Sequence, residues 1–114
     1  MPRPVGSMRP EQVQTLRKLA LNETQTTNEV MGGDLAARSS LDARTLALVR
    51  VAALVSIDSD ASTFRWAMDL AHAAGVDDTE VFDTLISLAP IVGIARLTSA
   101  IPHVLAAFDL EVID

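Results

Sequence analysis

The chain has 114 residues, 49% of them hydrophobic but only 4% aromatic, with a formal charge of −6 and no cysteine. That length suits one domain with a real core, while the acidic balance and scattered Arg and Lys argue against nucleic acid as a partner. The missing thiol excludes disulfides, thiolate metal sites and thiol catalysis together, and neither a metal site nor a cofactor is expected.

The apolar mass is mostly Ala, Leu, Val and Ile, which suits close helix packing, so an all-α domain is expected. A small domain cannot hide this many aliphatic side chains alone, and a homo-oligomer follows. No apolar run reaches the length of a membrane span, and the N-terminus lacks the apolar core of a signal peptide, so no membrane partner and a cytoplasmic location are expected. Residues 1–9 are expected to form a flexible N-terminal segment, in which Gly6-Ser7-Met8 has the form of a cloning scar. Residues 10–114 then form a single helical domain.

In chain order, Pro10 fits a first helical turn, and Val13, Leu16, Leu19 and Ala20 follow at helical spacing, predicting a helix over 10–21. The polar, Thr-rich stretch that follows is broken by Gly32-Gly33 and reads as a connection with a short helical turn around Asn28–Met31. Ser39 or Ser40 is expected to cap the next helix, "LDARTLALVRVAALVSI", apolar almost all round and therefore buried on several sides. A third long helix over 60–74 starts at Asp58/Ser59/Asp60 and ends at Gly75, suited to the left-handed position past a helix. Asp77 and Glu80 then form a capping-box pair, and Gly93 closes that helix. The last helix, 94–109, contains Pro102, expected to kink it. Short connections between such helices favour antiparallel neighbours, giving a bundle of about five to six helices.

Three stretches carry a resemblance: "LDARTLALVRVAAL", "RWAMDLAHAAGVDDTEVFDTL" and "LAPIVGIARLTSAI". In this order, covering about residues 41–108, they resemble the carboxymuconolactone decarboxylase family, which includes the alkylhydroperoxidase D-like proteins. The resemblance implies an alkylhydroperoxidase D-like antiparallel helical bundle that assembles into trimers or hexamers. It also implies a Cys-x-x-Cys-x-x-x-His motif in the family's redox branch. In the register of Arg65-Trp66, those positions hold Asp60, Thr63 and Ala67, and the acidic position upstream holds Leu48. The decarboxylase branch keeps the same histidine, so Ala67 also removes its expected acid/base group. Thiol peroxidase chemistry needs a sulfur nucleophile that this sequence lacks.

The helical stripe of 60, 63 and 67 lies about half a turn from that of Arg65, Asp69 and His72. The former is expected to line a largely apolar pocket, while His72 cannot replace the lost histidine. Asp58 and Asp60 read as helix caps before paired carboxylates, and Arg65, Asp69 and His72 as a polar stripe before a proton-transfer group. Trp66 reads as a packing residue. His103, beside Pro102, is the candidate acid/base group, and arginines interrupting apolar helices are candidate carboxylate anchors or interface ion pairs. The candidate ligand-binding set is therefore Thr63, Ala67, Arg50, Arg96 and His103. The chain is read as a divergent family member binding a small apolar or carboxylated molecule; the alternatives are a non-redox, decarboxylase-like lactone or acid enzyme using relocated residues, and a structural or partner-binding oligomer.

Overall fold

In a computed structural model the described residues, 8–113, form seven α-helices and no strand. Residues 1–7 of the N-terminal segment, including most of the Gly-Ser-Met stretch, lie outside the described residues. No helix among those described is long and apolar enough to cross a membrane. The chain divides between Ser40 and Leu41 into two compact units.

The first unit holds α1 (Pro10–Ala20), α2 (Thr24–Met31) and α3 (Asp34–Ala37). The segment read as a connection with one turn around Asn28–Met31 is thus two helices, which raises the count above five or six. Glu23 supplies the missed start signal, because its carboxylate accepts from the Thr26 backbone N–H and from the Thr26 hydroxyl. Gly33, at φ +85°, then breaks α2 from α3. Thr26 is the buried residue of this unit.

The second unit holds α4 (Ala43–Ser56), α5 (Ala61–Ala73), α6 (Asp78–Val92) and α7 (Ile94–Ala107). Asp42 caps α4 by accepting from Thr45 N–H at 2.7 Å, so the cap is not Ser39 or Ser40. A carboxylate suits the free N–H groups and positive dipole of a helix start. Asp60 caps α5 through Thr63 N–H at 2.8 Å. Asp77 and Glu80 complete a reciprocal capping box on α6, as their spacing predicts.

Helix α5 buries Phe64, Ala67, Met68 and Ala71, the i, i+3, i+4, i+7 stripe of a core-facing helix. It packs chiefly on α7 and α4, whose contributions to the core include Val51 and Val55 from α4 and Ala100 and Val104 from α7. Although α4 is apolar nearly throughout, Val49 stays half exposed.

Gly93 alone separates α6 from α7, at φ 87° and ψ 157°, a conformation essentially confined to glycine. Pro90 and Pro102 stand inside their helices. Asp58 is not a second cap. It follows the end of α4 at φ 54°, with Ser59 N–H reaching back to Leu54 and Asp58 N–H to Val55, a Schellman ending. Its carboxylate accepts from the Ser99 hydroxyl at 2.6 Å.

Truncating Phe64, which is fully buried, is expected to destabilise the protein by about 3–5 kcal/mol, read by urea denaturation of Phe64→Ala. A loss below 1 kcal/mol would contradict this core. Hydrogen bonds from the Thr63 backbone, the Thr63 side chain and Ser62 hold the Asp60 carboxyl below its ordinary value. A folded-state value below the unfolded one means that the cap's stabilisation is present above the unfolded value and lost as pH falls through the folded one. Asp60→Asn, which cannot titrate, should therefore lose less stability on acidification from neutral pH to about pH 2; equal losses in the two proteins would exclude the carboxylate as a contributor.

Candidate functional site

The five sequence-predicted residues lie on three helices that pack on one another, α4, α5 and α7. Ala67 is fully buried, and Thr63 and His103 are half-buried. His103 stacks on Phe64 with ring centroids 6.3 Å apart and planes 11° from parallel. Its imidazole also adds a smaller electrostatic contribution to holding Asp60 ionised, after the Thr63 and Ser62 hydrogen bonds. Thus Asp60 and Thr63 are joined at the start of α5, and His103 of α7 contacts this segment through Phe64.

The arginines do not join them. Arg50 lies over the Trp66 ring, its guanidinium carbon 5.1 Å from the ring centroid. Trp66 remains 52% exposed instead of packing in the core. Phe64 and Trp66, two positions apart, face opposite sides of α5, so Arg50 and His103 serve different faces. Arg96 is exposed and makes no ion pair among the described residues. Arg44, the remaining arginine of α4, pairs with Glu80 of α6.

The stripe of Arg65, Asp69 and His72 does not assemble internally. Arg65 donates to the Ala106 carbonyl and pairs with Asp109 at 2.9 Å. His72 instead meets Asp78, Nε2 to Oδ1 at 2.8 Å, and Asp69 is exposed. The α5–α6 junction makes the His72 contact. Gly75, at φ +85°, lets its own N–H reach the His72 carbonyl and the Val76 N–H reach the Ala71 carbonyl, a complete Schellman motif. The chain then reverses within a few residues, so that His72, near the end of α5, faces Asp78, the first residue of α6.

Asp78 is also the polar end of a groove of about 380 Å³ between α6 and α7. Asp78, Val81, Phe82 and Leu85 line one wall, and Ile101, Val104, Leu105 and Phe108 the other, with Leu110 beyond them. Each wall is an i, i+3, i+4, i+7 arc of one helix. Asp78 and Phe108 share one end of the groove, which makes the two helices antiparallel. His72 meets the Phe108 ring edge-on at 6.0 Å, beside that end.

None of Thr63, Ala67, Arg50, Arg96 or His103 lines this groove. In the sequence both arcs show only as apolar helical periodicity, which a core face and a groove wall share. The available signal was Asp78, a carboxylate heading an otherwise apolar arc, which was absorbed into the capping pattern beside Asp77. Chemically, the groove can hold an apolar body and accept a hydrogen bond at one end, and its lining holds one carboxylate with no hydroxyl, amine or imidazole among it.

No curated protein and no solved structure matches the chain. The family model for the carboxymuconolactone decarboxylase family matches residues 23–106. That match spans most of the chain, and the protein belongs to the carboxymuconolactone decarboxylase family.

Proposed function

We propose that this protein is a non-redox member of the family that binds a small, predominantly apolar molecule between α6 and α7. The observation that carries the reading is the groove of about 380 Å³, apolar along both walls with one carboxylate at its end. Its volume falls at the small end of ligand pockets, where a largely apolar lining with few polar groups is the rule. The carboxylated ligand also expected from the sequence would need an arginine anchor. Arg50 is engaged with Trp66 and Arg96 stands on the surface away from the groove, which favours the apolar branch.

Self-association, which the family resemblance implies, is supported by exposed Ile86, Ile91 and Ile94 on the α6–α7 hairpin. A library of aliphatic, aromatic and lactone compounds is expected to yield members that raise the melting temperature, less so for Phe82→Ser. Phe82 is 60% exposed on the groove wall, so its loss should leave the fold intact. A library without a stabiliser would remove the binding reading, and a monomer mass by light scattering in the same buffers would remove the assembly.

A second reading, a lactone or acid enzyme working through relocated residues, has one observation in its favour. His103 stands against Phe64, within the electrostatic reach of Asp60, beside the helix on which the family resemblance places the motif. Here a half-buried imidazole near a fixed carboxylate would serve as acid/base group. On any lactone that the protein turns over, His103→Ala should lower kcat by about 100-fold or more. Unchanged turnover would eliminate this reading.

A further inference from the structure

We propose that the α6–α7 groove selects ligands with an amine or other hydrogen-bond-donating head and an alkyl or aryl body, and rejects carboxylates. The proposal rests on the groove being a ligand site, and it names the class of ligand.

The polar character of the groove is set by one side chain. Eight of its nine lining residues are apolar, and the ninth is Asp78. An ionised Asp78 carboxylate can accept hydrogen bonds but not donate them. His72 occupies Oδ1 at 2.8 Å, and no second partner for the carboxylate is found among the described residues. The His72 contact orients the carboxylate, and the His72 ring in turn packs edge-on against Phe108. A ligand lying along the apolar walls with its head at this end therefore meets a fixed, partly vacant acceptor.

The charges around that end have the same sense. Asp77 precedes Asp78, and Asp109 and Glu111 flank Leu110, which lines the groove. Arg65 is the nearby cation, and it is already engaged by Asp109 and the Ala106 carbonyl. The whole chain adds a formal charge of −6. A carboxylate head would be placed against a like charge, with Arg65 engaged by Asp109 and the His72 Nε2 engaged by Asp78 itself, whereas an ammonium head would complement the open carboxylate oxygen. The Asp78 side chain is 71% exposed, so solvent screening keeps the preference modest.

The test compares octylamine, octanol and octanoate, below their aggregation concentrations, by calorimetric titration of the full chain. Octylamine is expected to bind about three- to fivefold more tightly than octanol, with octanoate weakest. Asp78→Asn keeps an acceptor for His72 but removes the charge, and it should bring octylamine down to the octanol value. Phe82→Ser should weaken all three. Octanoate binding as tightly as octylamine, or an amine preference unchanged in Asp78→Asn, overturns the selectivity; the groove reading survives that result if Phe82→Ser still weakens binding. Indifference of all three to Phe82→Ser overturns the groove reading and the selectivity with it.

Discussion

The four-helix unit depends on one helix face, the stripe of Phe64, Ala67, Met68 and Ala71 that α5 buries between α4 and α7. Two of these residues are alanines with no exposed surface, which allows close approach of neighbouring helices, while Phe64 and Met68 fill the space that remains. Because α4 and α7 are drawn to this face, α6 meets the bundle through Val81 and Leu85 while Phe82 and Ile86 stay outside. The groove between α6 and α7 follows from that packing. Its floor is made by the core residues Val81, Leu85 and Val104, and its rims by apolar side chains such as Phe82 and Leu110 that the packing leaves exposed.

Helix endings fix the register of these faces. Asp58 and Asp109 adopt left-handed conformations that cost a non-glycine residue about 1 kcal/mol. Each is then tied to another helix, Asp58 by the Ser99 hydroxyl and Asp109 by Arg65. Short polar side chains tolerate this backbone better than most residues, and their carboxylates gain a partner only when the next helix is in place. A local ending thereby becomes a contact between helices, with α5 and α7 tied through Arg65 and α7 tied to the α4–α5 turn through Ser99.

What could be read in the sequence follows from the range of the interactions. The caps at Asp60 and Asp77 and the breaks at Gly75 and Gly93 all depend on residues within a few positions, and the sequence displays them. The start of α2 at Glu23 was missed because a glutamate is not among the usual capping residues. The polar stripe of Arg65, Asp69 and His72 was legible as a stripe, but its partners were not. Asp109 lies 44 positions from Arg65, and His72 turns to Asp78 only through the Schellman reversal. The groove was hidden for a related reason: a core arc and a groove wall have the same periodicity, and only the packing of the other helices decides which it becomes.

The start of α5 is a structural cap in the register where the family resemblance implies paired cysteines. In the register of Arg65-Trp66, the positions where relatives carry paired cysteines are Asp60 and Thr63. A helix N-terminus lowers the pKa of a cysteine there because its unpaired N–H groups stabilise the thiolate. Here the same N–H groups meet a different anion: Thr63 N–H donates to the Asp60 carboxylate, and the Ser62 hydroxyl adds a second bond at 3.0 Å. The electrostatic feature that favours a thiolate in this place now holds a carboxylate as a structural cap, so the two positions form one capping unit. With Ala67 sealed in the core two turns from the cap's first residue, the stripe is a packing element in this chain. The polar groups that border an apolar surface therefore lie at the opposite end of that helix, where Asp78 and His72 meet.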